Sequence, residues 1–584
     1  MAKPKKIKNS TIINITSKTK DRTYIIDSNA VSTATVNFYS PYANMGTAMH
    51  VENSDDLCLF IPTYINELSA KIKYAILIIK DYFKYCETNE NLVQVNGESI
   101  LNKVNTSPFS FNNSKKIETV LDKLGIAGGK KNTTYTITGI ENNDHSIIDI
   151  KGNDKYIIKA PYDSNIDNSL LINEQDGNDK YILTNNSHVA VAEYTGKDKY
   201  TINNSTIQIE DFFGKDKYTA ENVTGGIVDQ RGKDKYTISN AGQFFIYDMY
   251  GNDTYKLTNV RTTDKEGKID ETKTLIADRF GNDKYTISGS DTYLFVNDFT
   301  GKDTYNIKGK YDKKTKTATY VGFTKITDNG YGKNTFNLNY ADGTTITAEN
   351  NKNVFNVKNC IGEVTIKAGV TTNNAGTNKY TLTSNEYYDI YNYGTTNDSY
   401  NIINSATGEI ADENGNDTYK INALNFRTYT PDETLAGISI KDMGGTKDTL
   451  TLKTTKTNNI VYMSDFYMAD ETTSKSWSNS LIIYDKSTQG YAYIKDFYST
   501  DENNDFNGFG TGLIETVKAK KGKKLKTLDV SKNSDYYEHL NSVKENVVSW
   551  INDNSVQFSC VEDVLLYGTQ DQKNELVNIF TNQS

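Results

Sequence analysis

The chain has 584 residues, of which 36% are hydrophobic, 39 are glycine, 42 are tyrosine and only 6 are proline. This hydrophobic share is below the roughly 45–50% of an ordinary globular protein, so a single large core of aliphatic side chains is not expected. Lys and Arg number 65 against 74 Asp and Glu, a net charge of −9. That charge provides no general attraction for nucleic acid or for an anionic membrane.

The N-terminal region, residues 1–125, is predicted to be a β-rich cap. Its first residues, 1–8, are basic, but a polar segment follows them where a cleavable signal peptide would have an apolar core. The most apolar segment, Tyr74–Ile79, is too short to cross a bilayer, so the sequence predicts no transmembrane segment. A toxin or hydrolase with an unrecognised active region in residues 1–130 remains an alternative.

Residues 126–455 contain a recurring motif, which predicts a repeat architecture. The motif reads Gly, then Asn or Lys, then Asp, then Lys or Thr, then Tyr. The tyrosines from Tyr181 to Tyr255 follow one another at 19, 18, 18 and 19 residues. The full motif begins at Gly152, Gly177, Gly196, Gly214, Gly232, Gly251, Gly281, Gly301 and Gly415. Weaker copies end at Phe336, Phe355, Tyr380 and Tyr400.

Each repeat also contains two alternating segments, which are typical of strands. Tyr236–Ile238 follows one motif, and Phe245–Tyr247 precedes the next. Alternation places every second side chain on one face. Each unit of about 19 residues, here called a rung, is therefore predicted to be a strand, a polar turn, a second strand and an acidic glycine turn. Stacked rungs bury their apolar faces, so the expected fold is all-β, a parallel β-roll or β-solenoid with an interior ladder of tyrosines.

A second acidic residue lies three positions before most motif glycines, so the turn reads acid-x-x-Gly-x-Asp. Stacking places rows of these carboxylates about 5 Å apart. Calcium takes roughly six to eight oxygen ligands in irregular geometry, so the turns are predicted calcium sites. Glycine is expected there because it allows a positive φ that turns carbonyls inward. The candidate metal ligands are Asp154, Asp179, Asp198, Asp211, Asp216, Asp229, Asp234, Asp248, Asp253, Asp278, Asp283, Asp298, Asp303 and Asp417.

Over residues 130–450, the motif resembles the second half of the nonapeptide of the repeats-in-toxin, or haemolysin-type calcium-binding, family. The resemblance implies a parallel β-roll with Ca²⁺ between successive turns. The glycines from Gly152 to Gly301 would bend the chain, and the aspartates from Asp154 to Asp303 would be ligands. It also implies a secreted, extracellular or cell-surface protein with a structural or adhesive role. Its partners would then be calcium ions and cell-surface or self-association partners.

A metal-free interpretation of the same turns remains open. In it, each Asp accepts hydrogen bonds from its own turn and pairs with neighbouring lysines, as Lys197 and Lys199 flank Asp198. The chain would then be a solenoid scaffold without calcium. Asn334 and Asn378 replace the Asp in two weaker turns and are expected not to bind calcium.

Residues 456–530 are predicted to form a C-terminal β cap. Ala75–Phe83 and Ala492–Tyr498 both contain an apolar strand followed by Lys-Asp. These segments are similar to the strands that accompany repeats-in-toxin rolls, and mixed apolar and charged strands are suited to covering an open end of a stack. Further ordinary rungs are the alternative.

Residues 531–584 form a predicted helical tail. Val543, Val547, Trp550 and Ile551 recur at helical spacing. Such a tail is similar to the C-terminal ends of type I-secreted proteins, which carry an uncleaved export signal. A helical cap or an oligomerisation element is the alternative.

The sequence provides no recognisable catalytic motif. Its four histidines do not form an H-E-x-x-H zinc site, and no G-x-S-x-G nucleophile motif occurs. Carboxylates that recur with the repeat are better explained as structural groups than as one acid–base pair. The chain is therefore predicted not to be an enzyme.

Overall fold

A computed structural model describes most of residues 132–581, and its longest gaps there are 139–144, 164–168, 262–275, 370–375, 468–475 and 530–534. Before residue 132 it describes the backbone of separate strands and the side chains of a few residues. The chain divides into two compact units, residues 1–284 and residues 285–584. The N-terminal strands are Lys5–Ile7, Thr11–Ile15, Arg22–Ile26, Ala34–Phe38, Thr47–Val51, Asp56–Asn66, Lys71–Lys80, Val93–Val95, Glu98–Ser99, Lys116–Glu118 and Ile126–Ala127.

Each rung consists of two strands joined by a polar turn, as the alternation predicts. In one rung, Lys235–Ser239 buries every second side chain beginning with Tyr236, and Phe244–Asp248 does so ending with Asp248. Asn240 in the turn has a φ of 51°, a left-handed conformation that asparagine adopts more readily than most residues. The same conformation recurs at Asn185, Asn204, Asn222, Asn259, Asn359 and Asn404.

The rungs stack into two parallel sheets in the first unit. The tyrosine sheet contains the strands with the motif tyrosines: Thr134–Ile137, Lys155–Ile158, Lys180–Leu183, Lys235–Ser239 and Thr254–Thr258. The acid sheet contains the strands that end in the turn acid: His145–Asp149, Leu170–Glu174, His188–Glu193, Phe244–Asp248 and Ile276–Asp278. Lys199–Asp211 and Lys217–Asp229 each run through both sheets.

The second unit repeats this arrangement. Its tyrosine sheet contains Lys284–Ser288, Thr304–Lys308, Thr335–Asn339, Val354–Lys358, Lys379–Thr383, Ser399–Ile403, Thr418–Ile421 and Thr449–Lys456. Its acid sheet contains Leu294–Asp298, Thr324–Asp328, Asp342–Ala348, Ile361–Ala368, Tyr387–Asn392, Thr407–Asp412 and Gly437–Asp442. Two antiparallel hairpins are inserted, Lys310–Asp312 with Thr317–Thr319, and Arg427–Thr430 with Glu433–Leu435.

The predicted aromatic ladder is confirmed in both units. Adjacent rings from Tyr135 to Tyr255 are stacked, with centroids 4.6–4.9 Å apart and ring planes within 9° of parallel. From Tyr285 to Tyr419 the centroids are 4.7–5.0 Å apart. This spacing is the distance between adjacent strands, because equivalent residues are in register.

A β cap and three helices complete the second unit. Tyr491–Ile494 pairs in parallel with Gly437–Asp442, the last acid-sheet strand. The remaining cap elements are Thr457–Asn459, a 3₁₀ turn, and the strands Ile460–Met463, Phe466–Tyr467, Ser476–Trp477, Leu481–Asp485, Tyr498–Thr500, Phe506–Phe509, Thr516–Lys521 and Lys524–Asp529. The helices are α1 (Asp535–Asp553), α2 (Val561–Tyr567) and α3 (Gln570–Thr581). The predicted all-β solenoid with β capping segments and a helical tail is thus confirmed.

The helical tail is attached to the β cap by side-chain contacts. The Tyr491 hydroxyl donates a hydrogen bond of 2.7 Å to Oε1 of Glu562 in α2. Lys544 in α1 lies 2.8 Å from a carboxylate oxygen of Asp505. The tail therefore packs as a structural part of the second unit.

Candidate metal centre

The acidic side chains of the turns are buried, and the lysines beside them are exposed. Asp198 is 2% exposed, whereas Lys197 and Lys199 on either side of it lie at the surface. Extended backbone directs alternate side chains to opposite faces, so the carboxylate enters the interior while the ammonium groups face solvent. The turns are therefore not a solvated ladder of Asp–Lys pairs. All fourteen predicted ligands are buried, whether they stand before or after the glycine.

The motif aspartates form a hydrogen-bonded row along the stack, here called the aspartate ladder. The backbone N–H of Asp198 donates to Oδ1 of Asp216, and that of Asp216 donates to Oδ1 of Asp234, both at 2.6 Å. Each side chain thus ties its own rung to the preceding one through one oxygen. The positions in the first unit are Asp154, Asp179, Asp198, Asp216, Asp234, Asp253 and Asp283. Those in the second unit are Asp303, Asn334, Asn353, Asn378, Asp398, Asp417 and Asp448.

The motif glycines are required for a different reason from the one predicted. The glycines from Gly152 to Gly281 do not have positive φ, so the expected left-handed turn is wrong for them. Instead, the aspartate side chain two residues later folds back over the glycine. A Cβ on Gly251 would lie 1.8 Å from Oδ2 of Asp253, and one on Gly214 would lie 1.9 Å from Oδ2 of Asp216. No side chain fits beside the carboxylate at these positions.

Gly251→Ala is expected to destabilise the chain by about 1–3 kcal/mol, because the added methyl group overlaps the Asp253 carboxylate. In an Asp253→Ala background the overlap is removed, so the same glycine substitution should have a much smaller effect. Urea unfolding followed by circular dichroism, with calcium held constant, measures both differences. Equal losses in the two backgrounds would show that the glycine is required by backbone conformation alone.

The turn acids bind the tyrosine hydroxyls. The Tyr218 hydroxyl lies 2.8 Å from Oδ2 of Asp211 and 2.9 Å from Oδ2 of Asp229. The Tyr236 hydroxyl lies 3.0 Å from Oδ2 of Asp229 and 2.8 Å from Oδ2 of Asp248. A phenol has one proton and donates to only one carboxylate at a time. One oxygen of each turn acid is therefore occupied by tyrosines, and the other is turned away from them.

Several second oxygens of these buried carboxylates have no hydrogen-bond partner among the described residues. In the aspartate ladder they are Oδ2 of Asp154, Asp179, Asp198, Asp216, Asp234, Asp253, Asp417 and Asp448. Among the turn acids they are Oδ1 of Asp211, Asp248 and Asp298. A buried carboxylate oxygen without a partner is unfavourable and is rare in folded proteins. These oxygens are suited to a bound cation.

The carboxylates form three-residue groups whose oxygens lie within 4.8 Å of one another. Two oxygens that each lie 2.3–2.6 Å from one Ca²⁺ are at most roughly 5 Å apart, so this separation fits a shared ion. From the second group below onward, each group shares a motif aspartate with the next, which would link successive ions into a row. Five of the groups are Asp149–Asp154–Glu174, Asp179–Glu193–Asp198, Asp198–Asp211–Asp216, Asp216–Asp229–Asp234 and Asp234–Asp248–Asp253.

Burial and mutual repulsion make the ionised forms of these carboxylates unfavourable. Burial raises the pKa of Asp198 to about 7 and that of Asp179 to about 8. The pKa of Asp234 is raised well above its usual value, by burial first and then by the charges of Asp229 and Asp216. A proton or a cation must therefore neutralise much of this charge near neutral pH.

Further acids belong to the same rows and were not among the predicted ligands, including Asp149, Glu174, Glu193 and Asp328, which bind tyrosine hydroxyls. Asp412 precedes Gly415 by three residues, so the acid-x-x-Gly rule could have identified it. The turn from Asp442 to Asp448 has one extra residue after its glycine, and the turn before Asp398 has no glycine in the motif position. Glu515 lies outside the array, yet its Oε2 accepts the Asp448 N–H at 2.6 Å and thereby continues the aspartate ladder. Glu515 is thus the last acceptor of the aspartate ladder, and only the structure reveals it.

Comparisons with known proteins identify no relative. No protein-family model, curated protein or solved structure matches the chain. Within the described parts of the chain, none of the helices has the length and apolar character needed to span a membrane.

Proposed function

We propose that the chain is a calcium-binding β-solenoid that holds Ca²⁺ between successive acidic turns. The observation that carries this proposal is the unpartnered second oxygen of the buried motif aspartates, such as Asp216 and Asp234, each grouped with a turn acid. In Asp216 and Asp234, one oxygen maintains the fold through the ladder hydrogen bond, and the other is available to a cation.

Calcium fits this donor set better than other common ions do. The five defined groups offer carboxylate oxygens only, without His or Cys, and oxygen donors favour Ca²⁺, Mg²⁺ and Mn²⁺ over Zn²⁺ or Cu²⁺. Mg²⁺ demands near-ideal octahedral geometry, whereas Ca²⁺ accepts irregular and shared carboxylates. A row of sites with shared aspartates is an irregular arrangement of this kind.

We also propose where the protein is located and what role it has there. The motif resembles the repeats-in-toxin family, which implies an extracellular protein. Weak sites of the extracellular kind bind calcium at about 10⁻⁴–10⁻³ M, so they would fill only outside the cell. We therefore propose a secreted or cell-surface protein with a structural or adhesive role and no catalytic activity of its own.

A metal-free scaffold is the second candidate, and the raised carboxyl pKa values favour it. Burial raises the pKa of Asp154 and Asp198 to about 7, so protons could replace a cation at mildly acidic pH. In that case the turn acids and tyrosines would form a neutral hydrogen-bonded network. Such a scaffold would fold equally well in the presence of a chelator.

Terbium luminescence tests the calcium proposal directly, because Tb³⁺ occupies calcium sites and is excited by energy transfer from nearby tyrosine. Tyr218 and Tyr236 bind the Asp229 carboxylate, so Tb³⁺ in the Asp216–Asp229–Asp234 group would lie close to their rings. We expect strong sensitised emission that Ca²⁺ displaces competitively. An Asp216→Asn, Asp234→Asn variant should lose part of the emission, and an Asp312→Asn control at an exposed hairpin should not. No sensitised emission from the wild-type chain would overturn the proposal.

A further inference from the structure

The second unit contains a neutral block, residues 334–368, in which three kinds of position lose their polar or charged group together. The aspartate ladder carries Asn334 and Asn353 in place of Asp. The turn-acid position carries alanine at Ala348 and Ala368. These two alanines are partners in adjacent strands, and Ala348 is also the partner of Asp328 in the preceding strand. The tyrosine ladder carries phenylalanine at Phe336 and Phe355. The carboxylate of the aspartate ladder, the turn acid and the tyrosine hydroxyl are thus replaced together in this block.

The neutral block keeps the ladder hydrogen bonds without any carboxylate. The Asn334 N–H donates to Oδ1 of Asn353 at 3.3 Å, and the Asn353 N–H donates to Oδ1 of Asn378 at 2.9 Å. The second side-chain atom of Asn353 is an amide nitrogen, which donates to the carbonyl of Asn350 at 2.7 Å. Where Asp leaves an oxygen for a cation, Asn353 satisfies both atoms within the protein.

At Phe355 the loss of the tyrosine hydroxyl follows from the loss of the turn acids on both sides, whereas Phe336 loses the acid on one side only, since Asp328 remains. By register, Phe355 lies beside the alanine positions Ala348 and Ala368, where Tyr236 lies beside Asp229 and Asp248. A hydroxyl there would be buried without a carboxylate acceptor, which is unfavourable. The phenylalanine rings still stack at 4.9 Å, so the aromatic ladder does not depend on the acids.

Additional asparagine side chains join the rungs of this block. Nδ2 of Asn356 donates to Oδ1 of Asn337 at 2.9 Å, and Nδ2 of Asn337 donates to Oδ1 of Asn306 at 3.1 Å. Stacked asparagines in parallel strands stabilise cross-rung pairing. These bonds are between neutral groups, so neither pH nor a cation is needed to maintain them.

We propose that the neutral block is a cation-independent core of the second unit, and that cation binding is confined to the acidic rungs on either side of it. This inference rests on the proposed calcium function. The acidic groups before the block include Asp298 and Asp303, and those after it run from Asp398 to Asp448. When cations are absent, the neutral block stays folded and presents strand edges on which the acidic rungs re-form when calcium returns, as in other repeat arrays.

Hydrogen exchange read by mass spectrometry on the full chain, with calcium and with a chelator, tests this inference. At free calcium of 100 times Kd, exchange in the acidic rungs 398–448 should slow by up to about 100-fold relative to chelator. Exchange in residues 334–368 should change by less than about threefold. Equal slowing in both segments would overturn the inference and leave the calcium function intact. Slowing in neither segment would overturn both.

A gain-of-site variant provides a second readout. Ala348→Asp, Asn353→Asp and Phe355→Tyr together give one neutral rung the acid, aspartate and phenol of an acidic rung. We expect exchange near residue 353 to become calcium-dependent in this variant. Exchange that stays unchanged in a variant with wild-type circular dichroism would contradict the inference. If the variant does not fold, the wild-type exchange pattern still decides between the outcomes.

Discussion

Removal of calcium near neutral pH is expected to unfold the acidic rungs of the array. Without a cation, groups such as Asp234, Asp248 and Asp253 place buried carboxylates within 4.8 Å of one another. Their repulsion and burial oppose folding, and bound calcium stabilises the native state by about 2.7 kcal/mol per site at 100 times Kd. Circular dichroism should show a loss of β structure on addition of chelator and its return on addition of calcium. An unchanged melting temperature would contradict this expectation.

The chelated protein is also expected to become more stable as the pH falls. Burial raises the pKa of Asp154 and Asp198 to about 7 and that of Asp179 to about 8, from a value of 3.8. The native state then binds more protons than the unfolded state, so stability decreases as pH rises between about 4 and 8. Melting in chelator at about pH 5.5 and at about pH 8 tests this trend. A higher melting temperature at the higher pH would contradict it.

Asp234→Asn is expected to have opposite effects with and without calcium. In chelator it should stabilise the chain by about 1–3 kcal/mol, because it removes a buried charge whose second oxygen has no hydrogen-bond partner among the described residues. Asn353 shows that an amide can form the ladder hydrogen bonds, so the fold is retained. In saturating calcium the variant should lose both groups that share Asp234, about 5.4 kcal/mol at 100 times Kd, which leaves it about 2–4 kcal/mol less stable than wild type. Urea unfolding under both conditions measures the two effects.

Asp312→Asn is the matched control for this comparison. Asp312 lies on an exposed antiparallel hairpin, where its carboxylate accepts the Lys314 N–H at 2.7 Å. Its substitution should produce no calcium-dependent difference. If Asp234→Asn destabilises the chain equally in calcium and in chelator, the Asp234 carboxylate has a structural role only.

The fold could be predicted from the sequence because its determinants are local and periodic. The spacing of Tyr181 to Tyr255 and the alternation after each tyrosine fix the rung and its buried face. The same alternation could have placed Lys199 outside and Asp198 inside. The metal-free interpretation instead paired Lys199 with Asp198, because it considered neighbours along the chain and not faces of the strand.

The geometry of the site could be predicted only in part. The acid-x-x-Gly-x-Asp pattern identified residues that the structure brings together, such as Asp211 and Asp216. The ladder hydrogen bonds could not be found in this way, because they depend on how one rung stacks on the next. The sequence also did not reveal why position 251 requires glycine. The contact that excludes a side chain there comes from the Asp253 carboxylate, which folds back over the glycine. Glu515 joins the ladder from a distant cap segment.

Calcium content after equilibrium dialysis is the most direct test of the central claim. The full chain, first stripped with chelator at mildly acidic pH, is dialysed against buffered calcium near neutral pH and its bound metal is measured by elemental analysis. The shared carboxylate groups predict several calcium ions per chain, and fewer in the Asp216→Asn, Asp234→Asn variant. A wild-type chain that retains its β structure and binds no calcium would contradict the claim and establish the metal-free scaffold.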